Sequence, residues 1–347
     1  MRISYSDLVA FTKSLLIKVG LKSSGADILT QCLCETSLRG VDSHGIRLLP
    51  HYVNFTKTGQ INLHANMSHH RKYPVFSHID GDGGFAQIAG FKAVDYAILT
   101  AKKYGIGSVT VSNSSHPGAM ASYTLRAARK GYICFGFANA DSLIVSPGAK
   151  RAYFGTNPLS VAAPRKDLAP FCLDMAPSMI TWNKVKSYIE QGKKLPENLV
   201  VDKEGKNTII SENAVALRGV GEYKGYALAS MIEVITSILT GMPFGINIKK
   251  MFDRDNVKPR KLAQTYIVMR NDICISSDEF LSSLKKMSEE LYKEVDQEGE
   301  NTIFLPGDKE IREEYERTLY GIPIDKYTES SLAALADEYK VDFFSLC

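Results

Sequence analysis

Apolar residues recur at helical spacing in the N-terminal part of the chain. Residues 6–19 combine an apolar face with Ser6, a typical N-cap residue, and with Gly20, which favours the end of a helix. A second helix is predicted over residues 25–39, and a short third helix begins near residue 49. A polar connection then runs to residue 73. We interpret its histidines as solvated loop residues: His64, His69 and His70.

From residue 73 the pattern changes to short apolar runs separated by helices, which is typical of an α/β unit. The predicted strands are 75–79, 108–111, 133–138, 159–163 and 171–174, with a later one at 265–268. The predicted helices between them are 91–104 and 119–130. Residues 193–207 are polar and predict a loop, whereas residues 226–239 are apolar nearly all round and predict a buried helix.

The pattern indicates a central α/β unit over roughly residues 73–175, and from residue 280 onward the chain becomes charged and helical. A chain of 347 residues is long enough for two or three packing units. The predicted fold class is therefore mixed, α/β (α+β).

Composition narrows the classes of function. The hydrophobic fraction of 44%, the charged fraction of 23% and the net charge of +4 are ordinary for a soluble enzyme. The sequence contains no dense run of lysines and arginines, so nothing in it indicates a nucleic-acid partner. The six cysteines are scattered without metal-ligand spacing, which predicts reduced thiols and no bound metal. The first residues lack a signal-peptide pattern and no apolar run has the length of a membrane span, so we expect a cytoplasmic protein without a membrane partner.

Two polar turns carry the residues best suited to proton transfer. One is 43–45, Ser-His-Gly, and the other is 114–118, Ser-Ser-His-Pro-Gly. A histidine between small residues has room for a ligand, and its ordinary pKa of about 6.5 suits proton exchange near neutral pH. The alternative is a histidine that caps a helix or binds a backbone carbonyl. Asp174 ends an apolar strand, where its carboxylate needs a partner such as a histidine N–H; the alternative is an aspartate that caps a loop.

Two glycine-rich segments have features of phosphate-binding loops. Residues 219–225 lead into the apolar helix and combine Lys224 and Gly225 with helix N–H groups, which favours an anion such as a cofactor phosphate. Residues 81–86 fit the G-x-G-x-x-A pattern of a dinucleotide-binding unit. However, the acidic residue that this unit places about 20 residues further on is missing. We therefore interpret the second set of glycines as turn residues.

Seven short motifs resemble, in this order, those of one enzyme family. They are 39–45 (Arg-Gly-Val-Asp-Ser-His-Gly), 113–118, 155–158 (Gly-Thr-Asn-Pro), 173–178, 223–226, 239–241 and 306–307. The chain resembles, over nearly its whole length, the non-Rossmann malate/L-lactate dehydrogenase family, also called L-sulfolactate dehydrogenase-like. The resemblance implies NAD or NADP, hydride transfer to a C=O or C=N carbon beside a carboxylate, and a homodimer. It also implies a helical part that joins both chain ends, residues 1–72 and 280–347, for dimerisation and substrate binding. The remaining part, residues 73–279 with a buried helical segment near 178–245, is then an α/β part that binds the cofactor without a Rossmann sheet.

The resemblance also assigns roles to residues of this chain. His44, His116 and Asp174 correspond to catalytic positions, and His44 is the first choice of proton donor, with His116 as the alternative. The expected substrate contacts are Ser43, Arg47 and Thr156, and the expected cofactor contacts are Asn157, Asp174, Met175, Ala176, Ser178, Lys224, Gly225, Pro306, Gly307 and Asp308.

One position departs from the family pattern. Most relatives carry an arginine four residues after the histidine that corresponds to His44, where it binds the substrate carboxylate, and here Leu48 stands in its place. Arg47 is the nearest arginine, but one position along a helix turns a side chain by about 100°. We expect an NAD(P)-dependent oxidoreductase for a 2-oxo or 2-hydroxy acid of the malate, lactate or sugar-acid type. The alternatives are a cyclic imine (C=N) reductase of the same family and a relative that binds a metabolite without turnover.

Overall fold

The computed structural model describes residues 1–251, 258–294, 297, 299 and 303–343. The first elements are β1 Arg2–Ile3, α1 Tyr5–Val19, α2 Ser23–Leu38, α3 Leu49–Lys57, β2 Ser68–Tyr73, β3 Phe76–Asp80, α4 Ala86–Tyr104, β4 Ile106–Ser114, α5 Ala121–Ala128 and β5 Tyr132–Ala138. They are followed by β6 Ser142–Val145, β7 Ala152–Gly155, β8 Leu159–Ala163, β9 Phe171–Met175, α6 Trp182–Glu190, β10 Val200–Val201, β11 Ala216–Leu217 and α7 Tyr223–Glu233. The last are β12 Leu262–Arg270, α8 Ser277–Leu291, α9 Asp308–Tyr320, β13 Ile322–Pro323 and α10 Lys326–Tyr339.

The N-terminal helices form where the apolar spacing predicts them, although the first cap differs. Ser4, and not Ser6, is the N-cap of α1, because its Oγ accepts the backbone N–H of Asp7 at 3.1 Å. Gly20 ends the helix as predicted. The cap prediction was wrong because two serines precede the first acidic residue, and both fit the same short pattern.

Both ends of the chain contribute to one apolar core. Strand β1 pairs antiparallel with β13, and Ile3 lies opposite Ile322. Side chains of α1, α2 and α3 are buried together with Leu332 and Leu335 of α10. Among the described residues, no helix is both long and apolar enough to cross a membrane.

A second core lies between α4, α5 and a mixed sheet. Within the described residues this sheet has seven strands in the order β2-β3-β4-β12-β5-β8-β9. Within this sheet, as far as the structure describes it, only the β3–β4 pair is parallel, and α4 connects these two strands; the other pairs are antiparallel. The strands predicted from the sequence are confirmed, as are the helices 91–104 and 119–130, with boundaries that shift by a few residues. A largely antiparallel sheet differs from a Rossmann sheet, whose strands are mostly parallel.

The glycines of segment 81–86 form the turn between β3 and α4, which confirms their interpretation as turn residues. The end of β4 holds them, because Gly81 and Gly83 donate N–H groups to the carbonyls of Ser112 and Asn113 at 2.9 and 2.8 Å. The Ala86 N–H donates to the hydroxyl of Ser115 at 3.0 Å. These amides are therefore occupied by the chain itself.

Strand β2 corrects the interpretation of two histidines. His69 and His70 lie in this edge strand and pair with Ile79 and His78 of β3, so their interpretation as loop residues is wrong. The His69 ring also stacks on Tyr96, with ring centroids 3.8 Å apart. A polar edge strand is held by backbone pairing, so its sequence lacks the apolar alternation that predicts strands.

The segment around α7 differs from its prediction as a buried helix. The α-helix continues as a π-helix over Val234–Ile238. One face, which includes Ala229 and Ile232, is buried, but Leu228, Val234 and Leu239 are exposed by 38%, 52% and 56%. The prediction of burial was therefore wrong for the isolated chain. A four-stranded sheet in the order β10-β11-β6-β7 lies in the described part of this region, and β10 interrupts the predicted loop 193–207.

Candidate active site

The two predicted histidine turns lie next to each other in the fold. His44 ends a 3₁₀ turn, Asp42–His44, after α2, and His116 follows the end of β4. Their ring centroids are 5.8 Å apart and the rings are nearly parallel, at 27°. The two turns therefore lie side by side, which is the arrangement that action on a shared ligand requires.

The His44 turn is held against α2 by close packing. A Cβ atom on Gly45 would lie 2.1 Å from the Oγ of Ser37, so glycine is required at this approach. The same Ser37 hydroxyl accepts the Ile46 N–H at 2.8 Å. The Nδ1 atom of His44 is 2.9 Å from the hydroxyl of Ser43, and Nε2 makes no hydrogen bond to the described residues. Burial lowers the pKa of His44, which favours the neutral ring at neutral pH.

A buried hydrogen-bond chain positions His116. Gln87 donates from Nε2 to the Tyr52 hydroxyl at 2.9 Å and to the carbonyl of His116 at 3.1 Å. The Tyr52 hydroxyl is 3.0 Å from Nδ1 of His116, and the Gly118 N–H donates to the same nitrogen at 3.3 Å. Because Tyr52 already accepts from Gln87, its own proton is available to Nδ1, which assigns the proton of the neutral ring to Nε2. Burial, and then the charge of His44, hold the pKa of His116 well below its ordinary value.

Asp174 is placed differently from the predicted histidine partner. It lies near the end of β9, and its Oδ2 accepts the Ala121 N–H at the start of α5, at 2.8 Å. This favours a carboxylate through the helix dipole. Although the side chain reaches solvent, the protein packed around its carboxyl raises the pKa to about 7, while the Ala121 N–H and the Arg39 charge act in the opposite direction. Asp174 thus caps a helix beside the His116 turn instead of orienting a histidine ring.

The segment after Asp174 contacts the glycine-rich turn predicted to bind phosphate. Ser178 forms an antiparallel bridge with Gly219, and the Val220 N–H donates to the carbonyl of Pro177 at 2.8 Å. A Cβ atom on Gly225 would lie 2.3 Å from that carbonyl oxygen, so glycine permits the contact. The Oγ of Ser178 is buried and has no hydrogen-bond partner among the described residues. A buried hydroxyl without a partner indicates room for a polar ligand atom at this junction.

The helix N–H groups of this segment are largely occupied, which corrects one part of the prediction. The Lys224 N–H donates to Gly221 at 3.3 Å, and the Gly225 N–H donates to Val220 at 2.7 Å. The Lys224 side chain is exposed. An anion here would therefore contact the ammonium group of Lys224 more than free backbone amides.

The side chains of Asn157 and Asp308 are engaged within the protein, and neither is free for a cofactor. Asn157 is fully buried; its Oδ1 accepts the Ala140 N–H at 2.9 Å, and its Nδ2 donates to the Ala229 carbonyl at 2.9 Å and to Glu233. These bonds join the loop before β8 to α7. The neighbouring Thr156 is half-buried.

Asp308 anchors the turn at Pro306 and Gly307. Its carboxylate pairs with Arg165 at 3.1 Å and accepts the hydroxyl of Tyr292 at 2.7 Å. The Pro306 carbonyl accepts the Cys172 N–H at 3.1 Å, which attaches the turn to β9 close to Asp174. The predicted cofactor contacts of this turn are therefore limited to its backbone.

Neither Leu48 nor Arg47 takes the place of the arginine that binds the substrate carboxylate in the family pattern. Leu48 is 5% exposed and packs in the apolar core. Arg47 is exposed, and its guanidinium carbon lies 5.7 Å from the ring centroid of Tyr327. The Arg47 charge also helps to lower the pKa of Asp325, after the opposing effect of burial and the hydrogen bonds from Thr328. The 3₁₀ turn at Ile46–Leu48 thus directs these two side chains away from the histidine pair.

Sequence reasoning missed three residues that bind His116 or act on it through their charge. Tyr52, Gln87 and Arg260 belong to no motif, and they come from α3, α4 and the segment before β12. Arg260 is 5% exposed, pairs with Asp141, and adds to the lowering of the His116 pKa after burial and His44. Only the tertiary fold brings these side chains together, so no local signal identifies them.

A cavity of about 370 Å³ lies beside the glycine-rich turn and not between the histidines. Its lining includes Ser146, Lys206, Arg218 and Glu222. The cavity thus borders the segment predicted to hold a cofactor phosphate. Within the described residues, no group of three or more His, Cys, Asp or Glu side chains is arranged to hold a metal ion.

Comparison with known proteins identifies the family. The model of the malate/L-lactate dehydrogenase family matches residues 3–333. The chain belongs to this family. It is 32% identical to the malate dehydrogenase of Pyrococcus abyssi, over 97% of this chain and 94% of the relative. It is also 30% identical to the ureidoglycolate dehydrogenase (NAD(+)) of Escherichia coli, over 93% of each chain.

Solved structures of the family share the fold. The sulfolactate dehydrogenase of Methanocaldococcus jannaschii has a TM-score of 0.91, with 28% identity, and covers 99% of this chain and 98% of its own. The Δ1-piperideine-2-carboxylate reductase of Pseudomonas syringae has a TM-score of 0.87, with 26% identity, and covers 97% of this chain and all of its own. The predicted non-Rossmann, L-sulfolactate dehydrogenase-like fold is confirmed.

Proposed function

We propose that this family member is an oxidoreductase that transfers a hydride between a nicotinamide cofactor and the carbon of a 2-oxo or 2-hydroxy acid. Its relatives are dehydrogenases of malate, sulfolactate and ureidoglycolate, which supports a hydroxy acid as the substrate class. The observation that carries the proposal is the pair of half-buried, neutral histidines with ring centroids 5.8 Å apart.

The histidine pair supplies the proton that accompanies hydride transfer. When the hydroxy acid is oxidised, a neutral ring accepts the proton of the alcohol; in the reverse direction the protonated ring returns it to the carbonyl oxygen. His44 presents Nε2 for this exchange, because Ser43 occupies Nδ1. The Nε2–H of His116 donates a hydrogen bond to the same oxygen. Since two nearby imidazolium charges repel each other, only one ring at a time carries the extra proton.

The region around Ser178 and Lys224 fits a nicotinamide dinucleotide. The buried Ser178 hydroxyl lacks a partner among the described residues, and the exposed ammonium of Lys224 suits a phosphate. We assign the backbone of Met175, Ala176, Pro306 and Gly307 to the same cofactor site. The cofactor supplies the hydride, and both NAD and NADP are compatible with these residues.

A cyclic imine beside a carboxylate is the second candidate substrate. The structural likeness to a Δ1-piperideine-2-carboxylate reductase favours it, because the carbon of a C=N bond accepts hydride and its nitrogen accepts a proton, as do the carbon and the oxygen of a C=O bond. The packing of Leu48 in the apolar core, away from the histidines, leaves recognition of the carboxylate to another residue.

A second copy of this chain covers the apolar face of α7 in the proposed assembly. Leu228, Met231 and Val234 are exposed by 38%, 41% and 52%, and Ile238 and Leu239 of the following segment by 51% and 56%. Exposed apolar side chains on one helix are typical of an interface between subunits. A homodimer is therefore part of the proposal, and sedimentation equilibrium of the purified protein measures it.

The proposed activity is tested with NADH and NADPH against a panel of 2-oxo acids and cyclic imines, with cofactor absorbance as the readout. We expect oxidation of at least one cofactor with a member of the panel and without added metal. Calorimetric titration of each cofactor is the parallel measurement. Cofactor binding without turnover would indicate a metabolite-binding relative, and the lack of binding of either cofactor would overturn the proposal.

A further inference from the structure

The segment before β12 brings one buried arginine to the histidine site. Leu262 of β12 lies opposite Ser114 of β4, and the Ser114 hydroxyl donates to the Leu262 carbonyl at 3.0 Å. Strand β4 leads directly into the His116 turn, and Arg260 stands two residues before Leu262. The charge of Arg260 acts on both His116 and Tyr52, which places the guanidinium within electrostatic reach of this pair.

Two of the three nitrogen atoms of the Arg260 guanidinium donate hydrogen bonds to described residues. Nε donates to the Lys249 carbonyl at 2.9 Å, and Nη2 pairs with Asp141. Asp141 also accepts the Met251 N–H at 3.3 Å, so it is fixed from two sides. Nη1 is buried and has no hydrogen-bond partner among the described residues. Buried arginine donors are normally satisfied, so a buried terminal nitrogen that finds no acceptor in the described part of the chain indicates a site for an anion.

Two other arginines close to the histidine turns in sequence are directed elsewhere. Arg47 contacts the Tyr327 ring. Arg39 pairs with Glu314 at 3.8 Å and acts on Asp174. Neither therefore supplies a buried, open donor beside His116.

We propose that Nη1 of Arg260 binds the carboxylate of the substrate, while His44 and His116 contact the oxygen on the reacting carbon. This inference rests on the proposed function and names the residue that recognises its substrate. A carboxylate completes the hydrogen bonds of the buried guanidinium and balances its charge. A neutral amide in place of the carboxylate leaves the charge of the Arg260 guanidinium unbalanced, so the site prefers a carboxylate over its amide analogue.

The test uses oxamate, which carries a carboxylate, and oxamide, its neutral analogue of similar shape. Calorimetry measures both, on the protein alone and with NADH or NADPH present. We expect wild-type protein to prefer oxamate. Arg260→Gln should weaken oxamate binding about 10-fold to 100-fold, the range for losing hydrogen bonds to a charged group, and should leave oxamide binding unchanged.

Two further variants separate recognition from folding. Arg260→Lys keeps a charge beside Asp141 but loses the planar fork, so it should fold and should bind oxamate with intermediate affinity. Asp141→Asn removes the partner charge and keeps the guanidinium, so it should retain the preference for oxamate. If Arg260 serves only to brace Asp141, Asp141→Asn should lose that preference as fully as Arg260→Gln.

The proposal is overturned if wild-type protein does not prefer oxamate, if the preference survives undiminished in Arg260→Gln, or if Asp141→Asn loses it as fully as Arg260→Gln. Failure of the proposed function is a separate result, namely that neither cofactor binds or that no oxo acid is reduced. Oxamate binding to the protein alone still measures the role of Arg260 in that case. A rise in KM for an identified oxo acid with little change in kcat is the matching kinetic result for Arg260→Lys.

Discussion

Replacing Tyr52 by phenylalanine isolates the hydrogen bonds that hold His116. Tyr52 is fully buried, and its hydroxyl accepts from Gln87 at 2.9 Å and lies 3.0 Å from Nδ1 of His116. Phenylalanine fills the same volume apart from the hydroxyl, so packing is preserved. Gln87 keeps the His116 carbonyl as a partner, and Nδ1 keeps the longer bond from the Gly118 N–H.

The expected loss of unfolding free energy is about 1–3 kcal/mol, because two hydrogen bonds disappear and the remaining partners satisfy the buried groups only in part. The effect on catalysis should be larger. Without the hydrogen bond from the Tyr52 hydroxyl to Nδ1, only the longer bond from the Gly118 N–H favours the Nε2–H form of the His116 ring. We expect kcat to fall about 10-fold to 100-fold, the range typical of losing a partner that orients a functional histidine.

Tyr123→Phe is the matched control. Tyr123 is also fully buried, and its hydroxyl donates at 2.6 Å to the carbonyl of Pro117, in the backbone of the same turn. Both variants should lose similar stability in denaturant titrations. Only Tyr52→Phe should change the ¹⁵N shifts that report the His116 tautomer, together with kcat. An unchanged tautomer and unchanged turnover in Tyr52→Phe would refute this role for the hydrogen-bond chain.

Three further outcomes are expected. His44→Ala and His116→Ala should each lower kcat by about 10²–10⁴-fold with little effect on the Kd of the cofactor. Normal turnover in either variant would show that the replaced histidine takes no part in the proton transfer. Leu48→Arg should destabilise the protein by several kcal/mol without improving KM, since Leu48 is 5% exposed in an apolar site. Arg47→Ala should change the free energy of unfolding by about 0.5 kcal/mol or less. Thermal melts in which Arg47→Ala is the more destabilised variant would contradict this packing. The pKa of Asp174 in the folded state, about 7, lies above its ordinary value, so the protonated carboxyl stabilises the fold. This contribution is complete below about pH 4 and is lost as the pH rises through 7. Asp174→Asn should remove this part of the pH dependence of the unfolding free energy, and a pH dependence identical to that of the wild type would contradict the raised pKa.

The sequence predicted those elements whose apolar spacing is regular. The apolar faces of α1 and α2 and the runs that became β5, β8 and β9 are local patterns that burial maintains. Strand β2 escaped prediction because its polar side chains lie at a sheet edge. Strands β10 and β11 have two residues each, which is too short for periodicity to be detected.

The candidate site was predictable as far as its motifs extend. His44 and His116 stand in short turns that sequence alone reveals, and the fold brings their rings together. The partners of predicted residues were not predictable, because they lie far away in the chain. Asp174 accepts a hydrogen bond from the Ala121 N–H instead of from a histidine, and the side chain of Asn157 donates to the Ala229 carbonyl of α7. Such pairings depend on the tertiary fold and on which buried polar groups remain to be satisfied.

Deuterium transfer from the reduced cofactor tests the central claim most directly. The protein is incubated with NADH or NADPH deuterated at C4 of the nicotinamide and with the 2-oxo acids that correspond to malate, lactate, sulfolactate and ureidoglycolate. We expect mass spectrometry to find a hydroxy acid with deuterium on C2 for the wild-type protein and almost none for the His44→Ala/His116→Ala double variant. Bound cofactor without deuterated hydroxy acid from any of these oxo acids, or undiminished transfer in the double variant, would contradict a hydroxy-acid oxidoreductase built on this histidine pair.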